Sequence, residues 1–316
     1  MTHCPHQTSI PIYATDDGRT VEVIHGFRDR LLNRSSTWPK PDWQEADYAS
    51  AAQLLIARWR KKLAHLAKWG VQLDGLRVLE IGCGAGLHSL LLGLSGVREV
   101  VSTDLRLRIR NRYELGDRSR RLAEEVLRGM GWQDGLEAAR AHLPIRFQVA
   151  DVTHPTLDGE SFDLVISGSV LEHVKPVDTA LSELAKVLRP GGVMYHAIEP
   201  FYWLRGCHEA GMVDIPWAHA RLSLPEMHRF VTADEGEERA AAVFEKVDSL
   251  NRLTLEQYRN VFAAAPIKVL QWKEKYNTPA AELLQEYPEV SETLLPGVTA
   301  RDLVHGEIDV LATTSK

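Results

Sequence analysis

Between residues 78 and 86 the chain reads Val-Leu-Glu-Ile-Gly-Cys-Gly-Ala-Gly, an apolar run that enters a glycine-rich turn. Glycines let a ligand touch the backbone, and a helix beginning just after them offers unpaired N–H groups. Dinucleotide sites use a turn of this kind with the spacing G-x-G-x-x-G. Here the glycines are Gly82, Gly84 and Gly86, and Leu87 fills the position that spacing needs for its third glycine. Glu80 adds a carboxylate that would repel a pyrophosphate and attract, directly or through water, the ammonium of a methionine moiety. The sign of that charge favours S-adenosylmethionine over a dinucleotide. Asp104 stands 18 residues beyond Gly86, where a carboxylate can accept both hydroxyls of a ribose. Asp151, in Val149-Ala150-Asp151-Val152, is placed to accept from an adenine amino group. Taken singly, either aspartate is as readily a helix cap or a turn residue.

These groups need a scaffold that brings them to one edge, and the pattern supplies it. Strand-like runs at 77–82, 99–104, 146–151, 163–169 and 193–199 alternate with helical runs at 87–94, 117–130 and 177–188. Such alternation predicts βαβ units and a mostly parallel sheet. Two further strands are expected at 267–272 and 308–313. Ahead of the sheet, Ala52, Leu55, Ile56, Trp59, Leu63 and Leu66 recur at spacings of three and four, the signature of an amphipathic helix ending at Gly70. The organisation expected is an N-terminal arm over 1–46, a core over 47–200 and 265–316, and an insert over 201–264. The insert is longer than an α/β connection requires. It holds Phe201, Tyr202, Trp203, Trp217, Phe230, Phe244, Tyr258 and Phe262, which read either as a substrate lid or as a small core of the insert's own.

Bulk composition limits the partners. With 44% apolar and 25% charged residues the chain sits among soluble globular proteins, and no apolar stretch approaches a membrane span. A net charge of −6 argues against a phosphate backbone as ligand, so nucleic acid is not expected. Cys4, Cys83 and Cys207 are too widely spaced for a disulfide framework or a zinc knuckle, and the opening residues lack a secretory pattern, so the expected compartment is the cytoplasm.

In this order the motifs resemble those of the class I, Rossmann-like methyltransferases, in the large subfamily that acts on small molecules. Glu80 to Gly86 match the family's first motif, Asp104 its second-strand acid and Asp151 its adenine-side acid. Phe162 to Ser167 match the fourth strand, and Leu188-Arg189-Pro190-Gly191-Gly192 the turn before the fifth. The resemblance covers about 47–200 and, more weakly, 265–316. It implies an α/β fold with a seven-stranded, mostly parallel sheet whose last strand is antiparallel, flanked by helices. It also implies S-adenosylmethionine as cofactor and S-adenosylhomocysteine as product. Gly82, Cys83, Gly84 and Ser167 would contact the methionine part, and Leu105 and Val152 would flank the adenosine.

One segment departs from the family. The interval from Asp104 to Arg146 is long and carries eight arginines between Arg106 and Arg128. They read first as a solvated helix face with acidic partners such as Glu124 and Glu125, and second as a site for an anionic acceptor engaging Arg108, Arg110 and Arg112.

Methyl transfer is an in-line displacement, so it needs positioning and, for a neutral acceptor, a base. The resemblance places the acceptor above the carboxyl ends of the fourth and fifth strands, near Ser167–His173 and His196–Glu199. The sequence there lacks the Pro-Pro-aromatic step of base and glutamine amino-methyltransferases, and it lacks an aspartate at Ser167 or Gly168 for a metal. Base candidates are His196, His208, His219, Glu199 and, as a pocket-lining group, His173. The histidine spacings match no compact metal site, so none is expected. The expected acceptor is a small molecule of the natural-product kind, anionic with an apolar body, methylated on oxygen ahead of nitrogen or carbon. Homo-oligomer formation is left open. Two alternatives stand beside this reading: a nicotinamide oxidoreductase, and a non-catalytic binding protein on the same fold.

Overall fold

A computed structural model describes residues 11–32, 43–107, 112–154, 157 and 161–314. The chain opens with a small hairpin, β1 (Ile12–Ala14) and β2 (Thr20–Glu22), and a short helix α1 (Phe27–Leu32). Helix α2 (Glu45–Ala67) follows; the Asp47 carboxylate accepts the Gln44 N–H at 2.7 Å, and Gly70, left-handed at φ 76°, closes its far end. Its buried residues Tyr48, Ala52, Ile56, Trp59 and Leu66 form the face that the spacing predicts.

The alternating region forms β3 (Arg77–Ile81), α3 (Leu87–Gly93), β4 (Glu99–Asp104), α4 (Arg112–Gly129), α5 (Gly135–His142), β5 (Ile145–Val149), β6 (Phe162–Gly168), α6 (Val177–Val187) and β7 (Leu188–Ile198). β7 begins earlier than the sequence suggests. Leu188 already pairs with Phe162, and the ladder is irregular before it resumes at Leu164 and Val193. Further on come α7 (His208–Gly211), α8 (Ala218–Arg221), α9 (Leu224–Glu235), α10 (Glu237–Val247), α11 (Leu255–Ala264), β8 (Ile267–Tyr276), α12 (Thr278–Glu286), α13 (Ala300–Val304) and β9 (His305–Thr314). The sheet has seven strands in the order β5-β4-β3-β6-β7-β9-β8. The first five pair in parallel, and the last strand of the chain is antiparallel. Consecutive apolar residues such as Val78 and Leu79, or Val100 and Val101, are fully buried, as a parallel sheet covered on both faces requires.

The chain divides into two compact units. One holds residues 40–197, 261–272 and 309–316 and contains most of the sheet. Its core joins Ile56 and Trp59 of α2 to Val78, Val100, Leu164 and Tyr195. The other is assembled from 1–39, 198–260 and 273–308, wider than the insert expected from sequence. Of the expected arm, residues 1–10 and 33–42, with Cys4, lie outside the described residues. Its described part packs on the insert: Val21 and Val23 join Phe201, Ile215, Phe230 and Val243 in one apolar cluster. A second cluster gathers Leu204, Trp217, Val290, Val298 and Leu303. Phe201, Trp217, Phe230 and Tyr258 are each less than 9% exposed, so these aromatics build the unit's own core.

Arg221 ties this second unit together. Its side chain is wholly buried, donating to Glu22 at 2.9 Å, to the Thr293 hydroxyl at 2.6 Å and to the Pro216 carbonyl at 3.4 Å. Breaking a buried pair from one side typically costs about 3–5 kcal/mol. Because Glu22 keeps partial access to water, Arg221→Ala should destabilise by about 3 kcal/mol, toward the lower end of that range, read as a lowered urea midpoint. A change below about 0.5 kcal/mol, the size of an ordinary surface substitution, would show that the pair contributes little.

Candidate functional site

The glycine turn joins β3 to α3, and Gly82, Gly84 and Gly86 all have positive φ, at 67°, 51° and 76°. A side chain at Gly82 is excluded twice, by that backbone and by Val170, whose methyl carbon would lie 2.4 Å from an added Cβ. Around Gly84 an added Cβ would meet nothing within 4 Å, so the middle of the turn is open.

Asp104, at the end of β4, faces this turn. Its Oδ2 accepts the Gly84 N–H at 2.7 Å and its Oδ1 accepts the Arg106 N–H at 3.1 Å. The carboxylate is thereby fixed beside the opening with lone pairs to spare, since each oxygen can accept twice. Leu105 next to it is 72% exposed and Val149, at the end of β5, 59% exposed. Both stand at the ends of adjacent strands, where Asp104 pairs with Val149. Asp151 is exposed, and its Oδ1 accepts from the Thr153 N–H at 2.9 Å and hydroxyl at 2.7 Å. Those two bonds hold its carboxyl below the usual range. The turn role weighed for Asp151 is thus present at one oxygen.

Glu80 is the fourth residue of β3. It is 4% exposed and lies beneath the turn, where its Oε2 accepts from the Ser89 hydroxyl at 2.5 Å and the Ser102 hydroxyl at 2.8 Å. Burial pushes its carboxyl up, against the two hydroxyls and the Lys62 ammonium, which pull it down. Cys83 is buried, and burial together with Glu80 and Asp104 pushes its thiol far up. Val152 is half-buried.

Ser167 and His196 lie side by side in the β6–β7 register, with Ser167 Oγ 2.8 Å from His196 Nδ1. His196 is wholly buried, its ring 6.3 Å from that of Phe262, and burial pushes it down to about 3. Its Nε2 meets no hydrogen-bond partner among the described residues. A group that resists protonation so strongly is a poor general base near neutrality. His173 is exposed, in the turn after β6. The other candidates belong to the second unit. His219 Nε2–H donates to the Trp203 carbonyl at 3.0 Å, and burial pushes it down to about 4. His208 and Glu199 are half-buried, His208 with a left-handed φ of 56° and held low by burial. Among the described residues no group of three His, Cys, Asp or Glu is placed to hold a metal.

Sequence reasoning passed over Lys62 and His88. Measured from a Cβ built on Gly168, His88 Cε1 lies 3.2 Å away and Lys62 Nζ 3.5 Å away, and Lys62 Nζ is 5.5 Å from the Tyr195 ring centre. Burial, and then the neighbouring Lys62, push His88 down to about 3. In the described part of the arginine-rich segment the arginines from Arg118 to Arg128 have acidic or aromatic partners. Arg120 pairs with Asp117, Arg128 with Glu125 and Arg121 with Glu45, while Arg118 covers Trp43 and Arg121 covers Tyr48. Arg108, Arg110 and the side chain of Arg112 lie outside the described residues.

An open glycine turn, a carboxylate bonded to it and exposed apolar residues at the ends of β4 and β5 are the groups that a nucleoside site uses. Comparison with known proteins agrees: residues 79–196 match a family model described as a methyltransferase domain. Residues 79–196 are thus similar to a methyltransferase domain, and the strand order is that of a mostly parallel α/β sheet. The ubiquinone biosynthesis O-methyltransferase of Rhizobium rhizogenes is 33% identical over 125 residues, 40% of this chain and 42% of that protein. The one from Rhizobium etli is 30% identical over 187 residues, 57% of this chain and 66% of its own length. These matches therefore span less than two thirds of either relative. A solved S-adenosylmethionine dependent methyltransferase from Mesorhizobium loti overlays with a TM-score of 0.44 at 17% identity, covering 79% of this chain and 95% of that one. The matched domain stops near the end of β7, so it contains the turn, Asp104, Asp151, Ser167 and His196, and leaves out the whole of the second unit.

Proposed function

We propose that the chain transfers the methyl group of S-adenosylmethionine to an oxygen of a small organic acceptor. The observation that carries the reading is the glycine turn with Asp104 bonded to the Gly84 N–H, which leaves a carboxylate aimed at the mouth of an open cradle. In this reading Asp104 accepts the ribose hydroxyls, Leu105 and Val149 cover the adenine, and Ser167 with the turn holds the methionine part. The cofactor supplies an electrophilic methyl on a sulfonium. Support for oxygen as the acceptor atom comes from the relatives, ubiquinone biosynthesis O-methyltransferases. The second unit lies wholly outside the matched domain, and we assign to it the choice of acceptor, a small molecule with an apolar body.

His196, low and buried, orients Ser167 in this scheme rather than taking a proton. His173, exposed after β6, is the better base among the first unit's candidates. Calorimetric titration with S-adenosylhomocysteine and with NADH, followed by incubation with labelled S-adenosylmethionine and phenolic acceptors, tests the reading. Binding of S-adenosylhomocysteine on the order of micromolar, with label recovered as a methyl ether, is the expected result. Preference for NADH would move the assignment to an oxidoreductase. Adenosylhomocysteine binding with no transfer to any acceptor would move it to a binding protein.

A further inference from the structure

At the opposite end of the sheet from the glycine turn, a depression of about 510 Å³ crosses the amino ends of β3, β4 and β5. Three arginines line it, Arg77, Arg98 and Arg146, with one carboxylate, Glu99. Glu99 bridges two of them: its Oε2 accepts from Arg77 Nε at 2.6 Å, and its Oε1 lies 3.6 Å from Arg146 Nε. That double contact holds its carboxyl low, so the group remains charged at neutral pH. Arg77 is further fixed over the Phe162 ring, 4.6 Å from its centre, and Arg146 donates to Gln148 at 2.7 Å. The nearby Asp163 is engaged by Arg189 and by the Arg77 N–H. Arg98 makes no side-chain hydrogen bond or ion pair with the described residues. The depression therefore presents three positive charges against one negative, with two of the guanidinium groups held in place.

We infer that this depression binds a phosphate group carried on an apolar body. A surplus of two positive charges matches a phosphate monoester, which carries about −1.5 to −2 near pH 7, better than a single carboxylate. Guanidinium forks bind phosphate oxygens in pairs, and Arg98 has all its donors available among the described residues. Pro144 and Ile145 give the same depression an apolar wall, which inorganic phosphate alone would leave uncovered. The site lies about 15 Å from the turn, the length of a five-residue strand, so it is separate from the cofactor cradle.

The test is calorimetric titration of the full chain with phenyl phosphate and, separately, with inorganic phosphate. Phenyl phosphate should bind one equivalent with a Kd below about 1 mM and several-fold more tightly than inorganic phosphate. In Arg98→Glu, which reverses an exposed charge, binding should weaken by more than about tenfold while the melting temperature is kept. Arg98→Gln, which only removes the charge, should fall between. Equal affinity for the two phosphates would overturn the ester assignment. Undiminished binding in a natively melting Arg98→Glu protein, or no binding by the parent chain, would overturn the site.

Discussion

On acidification from pH 7.5 to 5 buried histidines should cost the protein about 6 kcal/mol of stability, lessened by any proton that a raised carboxyl takes up in the same range. The cause is three buried histidines. His196 and His88 are pushed down to about 3 and His219 to about 4, all by burial, from an ordinary value of 6.5. Below pH 6.5 the unfolded chain binds three protons that the folded chain refuses, and the lowered His208 adds in the same direction. Each such group contributes stability that is complete above 6.5 and falls by about 1.4 kcal/mol per pH unit until its folded value is reached. The lowered carboxyls of Glu99, Asp151 and Glu226 act in the same direction but only below about 4.5, whereas the raised Glu80 opposes the histidines above 4.5, where the folded chain keeps a proton that the unfolded chain has lost. Between pH 5 and 6.5 the histidines outnumber that one opposing carboxyl, so stability falls as the pH falls. With total stabilities of about 5–15 kcal/mol for ordinary domains, a loss of this size brings unfolding within reach near pH 5. Urea midpoints measured at half-unit steps of pH would show the slope, and His219→Gln should reduce it by about a third. A midpoint that stays constant from pH 7 to 5 would mean that these rings are hydrated in solution.

The same histidines mark how far the sequence could be read. Position was legible and environment was not. The alternation of strands and helices, the Gly82-x-Gly84-x-Gly86 turn and Asp104 are local patterns with fixed spacing, and each stands in the structure where that spacing puts it. His196 was legible as a strand residue near Ser167, but its exposure depends on Phe262, 66 residues further on. Glu80 was legible as an acid at a strand end. That it turns beneath the loop depends on Ser89 and Ser102, hydroxyls with no motif of their own. Lys62 escaped because it reads as one more charge on an amphipathic helix, and only packing brings its ammonium to Gly168. The second unit was under-read for a related reason. Its hairpin, insert and 273–308 segment share clusters and ion pairs such as Arg221–Glu22, and contacts of that range leave no periodicity in the chain.

Asp104→Ala should weaken S-adenosylhomocysteine binding by two orders of magnitude or more while leaving the fold intact. Two losses add. The alanine cannot accept from the ribose, and hydrogen bonds to a charged group are each worth about 1.5–3 kcal/mol. It also releases the Gly84 N–H, whose 2.7 Å bond to Oδ2 fixes the turn. The fold should survive because Asp104 is partly exposed, at the end of β4, and the turn keeps its own bonds, Cys83 N–H to the Thr103 carbonyl at 2.9 Å and Gly86 N–H to the Cys83 carbonyl at 2.7 Å. Asp104→Asn separates the two losses. Its amide oxygen can still accept from Gly84, but it offers one acceptor instead of two and no charge, so it should bind more weakly than the parent and more tightly than the alanine variant. Asn binding as weakly as Ala would assign the whole effect to charge and ribose. Asn equal to the parent would assign it to the shape of the turn. Full-strength binding by Asp104→Ala, with an unchanged melting temperature, would remove Asp104 from the cofactor site and with it the observation on which the methyl-transfer reading stands.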